Sequence, residues 1–169
     1  MSLFVLSQVL VGVALCSDII SFQFKKRAHI ISCLFASCIL ISLHFICLGH
    51  WTAACLGILA ASRFLVSLFS TSRVVMLFFM GMAILASILT YEGLLSILGC
   101  GGSLFGTVAS FSKDDKLLRQ LMLIGTILWL VHNIIAGSPG AVVVEIFFIC
   151  SNLVGYFRYY IRPARQALS

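Results

Sequence analysis

The chain has 169 residues, of which 62% are hydrophobic and only 9% are charged, and its mean hydropathy is +1.17. Soluble domains carry about a quarter charged residues, so this composition excludes a soluble globular protein and favours a polytopic membrane protein. The net charge of +6 comes from basic residues that are scattered between apolar runs. We therefore interpret them as topology determinants and predict no nucleic-acid partner.

Seven apolar segments approach the length needed to cross a bilayer, which is about 20 residues per helix. The first segment lacks the basic region of a signal peptide, so we expect it to be a retained helix. All seven cysteines lie within the apolar segments without a C-x-x-C spacing, which is typical of packing residues. The predicted spans are 3–22, 28–48, 51–70, 74–91, 93–111, 117–136 and 139–160.

The basic residues between the spans fall on one side of the membrane. The opposite side carries only the acidic Glu92 near a boundary. The positive-inside rule then predicts a cytoplasmic C-terminus and an N-terminus outside. The basic residues follow the first, third, fifth and seventh spans: Lys25, Lys26, Arg27, Arg73, Lys113, Lys116, Arg119, Arg162 and Arg165.

Two sets of matches suggest that a three-helix unit is duplicated. His44 recurs as His132 and Gly49 as Gly137 at a spacing of 88 residues. At a spacing of 89, three further pairs match: Gly12 with Gly101, Ser21 with Ser110, and Phe22 with Phe111.

A unit of three helices crosses the membrane an odd number of times, so two such units directly in tandem would have opposite orientations. The fourth span carries the chain back across the membrane and makes the two repeats parallel. The predicted fold is all-α, with two three-helix bundles joined by a linker helix. Its parts are a first repeat 1–71, a linker helix 72–92, a second repeat 93–162 and a short cytoplasmic tail 163–169. We expect Gly49 and Gly137 to make tight turns between antiparallel helices.

The 3+1+3 arrangement resembles the SWEET and PQ-loop transporters, in which substrate binds between parallel repeats. Two motifs also resemble the YgjV family of bacterial inner-membrane proteins. His44–Gly49 reads H-F-x-x-L-G, and Trp129–Gly140 reads W-x-x-H-N-x-x-x-G-S-x-G; Glu145, Asn152 and Arg158 follow. This resemblance implies a bacterial inner-membrane location and a helical membrane fold, but it implies no defined activity.

Polar residues inside the predicted spans are candidates for a substrate or proton path, because such residues are costly in a membrane. Asp18 and Arg63 form a predicted ion pair in the cytoplasmic half. Glu145 is expected to pair with His132 or His44 in the outer half. The alternative that these groups only lock helices together remains open. The candidate substrate-binding or path-lining residues are His44, Arg63, Trp129, His132, Asn133, Glu145 and Asn152.

Three interpretations of the two histidines are open: hydrogen bonds between helices, the lining of an outward-facing cavity, or ligation of haem or a metal. We predict no cofactor and no metal, because an H-E-x-x-H spacing is absent from the sequence. The loop Gly137-Ser138-Pro139-Gly140 lacks the G-x-S-x-G spacing of a serine hydrolase, and we predict no enzyme activity.

The leading hypothesis is a transporter or facilitator for a small polar solute, with proton coupling through Glu145 and His132 as one variant. The alternative is a non-transporting binding or accessory protein that holds a ligand or lipid in the same cavity. The predicted partners are the lipid bilayer and an unidentified small polar solute. A monomer and a homo-oligomer are both open.

Overall fold

The computed structural model describes residues 3–47, 51–89, 91, 93–135 and 139–162. It confirms an all-α fold with seven α-helices in these ranges. The predicted turns at Gly49 and Gly137, the acidic Glu92 and the tail 163–169 lie outside the described residues. The helices are α1 (Leu3–Ser21), α2 (Arg27–Cys47), α3 (Trp51–Phe69), α4 (Arg73–Leu89), α5 (Leu94–Phe111), α6 (Asp115–Ile135) and α7 (Pro139–Tyr156).

The predicted spans and the observed helices agree within two residues, except at the end of α7. There a π-helical turn, Phe157–Ile161, continues the helical path. Four helical segments are long and apolar enough to cross a membrane: Arg27–His44, Leu94–Phe111, Asp115–Ile135 and Val142–Ile161. The other described helices contribute shorter apolar segments, Val5–Ser21, Gly57–Phe69 and Arg73–Leu89.

The surface of the bundle is apolar and its interior contains many polar side chains. In α4, Leu77, Phe78, Ile88 and Leu89 are all exposed, and Phe79 is the buried apolar residue that packs against α5. An apolar exterior of this kind is stable in contact with lipid. Small polar side chains that are buried at helix contacts are typical of membrane bundles. They include Ser7, Ser21, Ser37, Ser42, Ser67, Thr107, Ser110, Thr126 and Ser151.

The helices pack mainly against their neighbours in sequence. Within the first helix set (α1–α3), α2 packs against both α1 and α3, and within the second helix set (α5–α7), α6 packs against both α5 and α7. Helix α4 packs against α5. The contacts of α1 with α7 and of α3 with α5 join the two sets, and we call these two contacts the seam.

Glycines bring α5 and α6 into close contact. Gly102 and Gly106 are one turn apart on α5, and a Cβ added to Gly125 of α6 would lie 3.0 Å from the Gly102 carbonyl oxygen. The Trp129 ring lies over Gly102, which leaves no room for a side chain at that position. Small residues at this spacing allow two helix backbones to approach each other in a membrane. The contact fixes the position of Trp129, a candidate site residue.

We call the end of the bundle at which α1, α3, α5 and α7 finish the basic end, because it carries the basic residues between the helices. The buried apolar cluster at this end includes Phe22, Ile30, Leu118 and Met122. The Phe22 ring contacts Phe148 of α7 edge to face, with 4.7 Å between centroids. This cluster anchors α7 on the end of α1.

We predict that Gly155→Ala destabilises the protein by about 1–3 kcal/mol, as overpacking does in other cores. An added Cβ at Gly155 would overlap the Phe22 carbonyl oxygen and Arg119 Nη1. The measurement is the midpoint of thermal unfolding of the purified protein in detergent.

Gly81→Ala is the matched control, because nothing lies within 4 Å of a Cβ added at Gly81. Alanine is favoured over glycine in a helix by about 1 kcal/mol, so this variant should unfold at the same or a higher temperature. Equal midpoints for the two variants would contradict the close approach of α7 to the end of α1.

Candidate functional site

Three pairs of polar residues inside the bundle are related by the same spacing in the sequence, and each of the six helices in the two sets carries one of these residues. A constant spacing of 89 residues relates the positions in α1, α2 and α3 to those in α5, α6 and α7. Five of the six side chains are buried, and that of Arg63 is half-buried. The pairs are Asp18 with Thr107, Ser37 with Thr126, and Arg63 with Asn152. The spacing makes Asn152, not Arg158, the counterpart of Arg63.

Arg63 reaches across the seam from α3 to α5. Its Nη1 donates hydrogen bonds to Thr107 Oγ1 at 3.0 Å and to the Ser103 carbonyl oxygen at 3.2 Å. Its Cζ lies 4.8 Å from the centroid of the Phe64 ring. Its Nε is buried and has no acceptor among the described residues. Arg63 is therefore held by neutral groups.

The predicted ion pair between Asp18 and Arg63 is not formed, because the Arg63 guanidinium is directed towards α5. Asp18 is 5% exposed and lies beside Ser37 of α2, whose buried hydroxyl has no hydrogen-bond partner among the described residues. Asp18 and Arg63 both lie within electrostatic range of Cys38. The two charged groups thus share one region of the interior without direct contact.

A second polar cluster, which we call the far cluster, lies towards the opposite end of α6 and α7. The His132 Nδ1 lies 3.1 Å from Asn133 Oδ1, and Asn133 Nδ2 donates a longer hydrogen bond of 3.5 Å to Glu145 Oε1. The Trp129 ring contacts the His132 ring edge to face, with 5.0 Å between centroids. The predicted partnership of Glu145 with His132 is therefore indirect and runs through Asn133.

His44 belongs to the first helix set and lies near the end of α2. Its Nδ1 is 2.8 Å from the Ser7 carbonyl oxygen of α1, and its side chain is 9% exposed. This contact fits the interpretation of His44 as a group that joins two helices. The described residues contain no group of three or more His, Cys, Asp or Glu side chains placed to hold a metal ion.

Asn152 is completely buried and lies against α6. Its Nδ2 donates to the Arg119 carbonyl oxygen at 2.8 Å, whereas its Oδ1 has no donor within the described ranges. Arg119 is also completely buried. Its Nη1 donates to the Phe22 carbonyl oxygen at 2.9 Å, and its Nη2 donates to that of Phe24. Arg119 therefore connects α6 with the end of α1.

Arg27 makes a corresponding connection from α2 to the second helix set. Its Nη2 donates to the Ser67 carbonyl oxygen at 2.7 Å and to that of Ser110, near the end of α5. Its backbone N–H donates to Asp115 Oδ1 at 2.9 Å. A carboxylate at the first turn of a helix and a cation beside the last turn are both favourable to the helix dipole.

Comparison with known proteins places this fold in a family. The model of a family described as bacterial inner membrane protein, Imp-YgjV, matches residues 5–162. The chain belongs to the YgjV family of bacterial inner membrane proteins. It is 28% identical over 138 residues to inner membrane protein YgjV of Escherichia coli strain K12, covering 82% of this chain and 72% of that protein. No solved structure matches the chain.

Membership of the YgjV family confirms the resemblance seen in the two sequence motifs and supports a membrane location. The sequence reasoning missed the residues that connect the two helix sets. It assigned Arg27 and Arg119 to topology, although both form hydrogen bonds inside the protein. It also passed over three residues that the 89-residue spacing identifies in the sequence. Thr107 follows Asp18 at this spacing, and Thr126 follows Ser37.

We predict that Arg119→Gln lowers the thermal stability of this YgjV-family protein. The substitution removes hydrogen bonds from a charged donor, each of which contributes about 1.5–3 kcal/mol. Arg119→Lys should give an intermediate loss, because one ammonium group does not reach both the Phe22 and the Phe24 carbonyl oxygens. Thermal unfolding in detergent measures both effects.

Lys116→Gln is the control, because Lys116 lies on the same helix and is exposed. A substitution at an exposed position of this kind usually changes the free energy of unfolding by less than about 0.5 kcal/mol. If Arg119→Gln unfolds at the same temperature as Lys116→Gln, the connection between α6 and α1 contributes nothing to stability.

Proposed function

We propose that the chain forms two parallel three-helix repeats, α1–α3 and α5–α7, joined by α4 as a linker helix. Three observations support this arrangement. If each helix of one set is exchanged with the corresponding helix of the other, α1 takes the place of α5 and α7 takes the place of α3. The contact between α1 and α7 then becomes the contact between α5 and α3. The repeated Ser21 and Ser110 hydroxyls both donate to the carbonyl three residues earlier, at 2.7 and 2.9 Å. The buried polar positions repeat with the same spacing of 89. The arrangement resembles that of SWEET and PQ-loop transporters.

On this arrangement, the protein is a transporter or facilitator for a small polar solute, and the path runs along the seam between the repeats. The observation that carries the proposal is the set of three polar positions that recur at a spacing of 89, which places one polar residue inside the bundle on each of the six helices. Polar groups inside a membrane bundle are costly and commonly mark the path of a substrate or ion. Structural locking alone does not require both members of all three pairs to be polar.

The far cluster supplies a means of proton coupling in this proposal. Glu145 and His132 are titratable, and Asn133 connects them by hydrogen bonds. Trp129 beside His132 adds an aromatic face, which together with an amide is typical of sites that bind small polar solutes. These residues come from the second repeat, so the two repeats would contribute unequally to the path.

We also propose that the basic end faces the cytoplasm, because Lys and Arg are enriched in cytoplasmic loops. A reporter fused after Arg162 should then lie inside the cell, and one fused after Tyr91 should lie outside. Alkaline phosphatase, which is active only outside the cytoplasm, should be inactive in the first fusion and active in the second. Green fluorescent protein should show the opposite pattern. Active phosphatase after Arg162 would reverse the proposed orientation.

The test of transport is osmotic reswelling of proteoliposomes that contain the purified protein. A panel of glycerol, xylitol, glucose, lactate and alanine covers neutral, anionic and zwitterionic solutes. We expect at least one solute to enter faster than into empty liposomes. Glu145→Gln and Asn152→Ala should each slow that entry by about tenfold or more, which corresponds to about 1.4 kcal/mol.

Ser87→Ala is the control, because Ser87 lies on α4 and donates to its own helix at Ala83. It should reswell at the rate of the unmodified protein. Thermal unfolding of each variant separates loss of transport from loss of folding. If no solute in the panel enters faster than into empty liposomes, the transport proposal fails. Saturable binding of a panel solute without entry would favour the alternative, a non-transporting binding or accessory protein.

A further inference from the structure

Arg63 carries a charge that the described structure does not compensate. Arginine remains protonated in proteins. Among the described residues, its hydrogen-bond acceptors are one hydroxyl and one main-chain carbonyl, and no carboxylate is among them. That carbonyl, Ser103 O, also accepts a hydrogen bond from Thr107 Oγ1 at 2.7 Å. A cation in such a site is costly unless an anion joins it.

Arg27 and Arg119, which also form hydrogen bonds inside the bundle, are compensated in ways that Arg63 is not. Arg27 lies beside Asp115, and both Arg27 and Arg119 donate to carbonyl oxygens at helix ends. Those ends carry partial negative charge. Arg63 instead donates to Ser103, which precedes the end of α5 by about 12 Å at about 1.5 Å per residue. Arg63 therefore donates to a carbonyl oxygen inside α5 and not to one at its end.

The acids of the interior do not neutralise Arg63. Glu145 accepts a hydrogen bond from Asn133 in the far cluster, and Asp18 lies beside Ser37. One guanidinium therefore matches a solute with one negative charge.

We propose that Arg63 binds the carboxylate of a small monocarboxylate solute at the seam. A planar guanidinium pairs with a carboxylate through two parallel hydrogen bonds. Thr107 Oγ1, 3.0 Å from Arg63 Nη1, orients the guanidinium. The Nε of Arg63 is buried and has no acceptor among the described residues, so this donor is available to a carboxylate oxygen. The binding step stands by itself, and the identification of the bound solute as the transported one rests on the proposed function.

The test measures thermal unfolding and equilibrium binding of the full chain in lipid nanodiscs. The probes are two carboxylates with their neutral amides, propionate with propionamide and lactate with lactamide, and inorganic phosphate as a doubly charged anion. All are compared at equal ionic strength against chloride. We expect propionate or lactate, but neither amide, to raise the unfolding midpoint in a saturable way. Phosphate should bind at least tenfold more weakly than the better carboxylate.

Three variants test the role of Arg63. Arg63→Gln should abolish carboxylate binding and leave the empty protein as stable as before, or more stable, because an uncompensated charge is removed. Arg63→Lys should weaken binding by at least tenfold, since an ammonium lacks the planar pair of donors. Arg73→Gln, a change of an exposed arginine at the same end of the bundle, should bind like the unmodified protein.

Several results would overturn the inference. They are equal binding of carboxylates and amides, tighter binding of phosphate, unchanged binding in Arg63→Gln, or marked destabilisation of the empty Arg63→Gln protein. Reswelling assays separate this inference from the proposed function. Carboxylate binding that depends on Arg63 without entry into liposomes would retain the site and reject transport. Entry of a solute into liposomes, together with no carboxylate binding that depends on Arg63, would retain transport and reject the site.

Discussion

Two arginines join the first and second helix sets at the basic end, each by binding the end of a helix from the other set. Arg119 of α6 donates to carbonyl oxygens that follow α1, and Arg27 of α2 donates to one near the end of α5. The last turn of a helix leaves carbonyl groups without partners inside the helix. In a bilayer, the protein itself has to supply those partners. The bond from Arg27 therefore supplies a partner for Ser110 near the end of α5, and the bonds of both arginines hold the two sets together.

The described hydrogen bonds between the first and second helix sets lie in the half of the bundle next to the basic end. Besides the two arginines, they include Arg63 to Thr107 and Ser151 of α7 to the Ile19 carbonyl oxygen. The chain of His132, Asn133 and Glu145 stays within the second helix set. A rearrangement that parts the two sets at the basic end thus has to break several charged hydrogen bonds together. The conformation described is closed at that end.

The helices themselves could be predicted because hydropathy and charge act along the chain. Span boundaries followed from runs of apolar residues ended by charges, such as Lys25 and Lys26. The position of each residue along its helix also followed, since each residue advances a helix by a fixed rise. The rotation of each helix about its own axis could not be predicted from hydropathy and charge. That rotation decides that Arg63 is directed towards α5, that Asp18 lies beside Ser37 of α2, and that Arg119 is buried.

The two repeated sets of positions differ in a way that symmetry alone does not explain. In the first set, Asp18 and Arg63 are ionisable, whereas their counterparts Thr107 and Asn152 are neutral. In the second set, Glu145 and His132 are joined through Asn133 in the far cluster.

Two helix sets can make corresponding contacts with each other while they carry different charges. These contacts need only small or hydrogen-bonding residues at the seam, and Thr107 satisfies that need as the partner of Arg63. Thr107, the neutral counterpart of Asp18, thus orients Arg63 across the seam. This division explains why a single cation, and not a symmetric pair, is left in the interior without an anion.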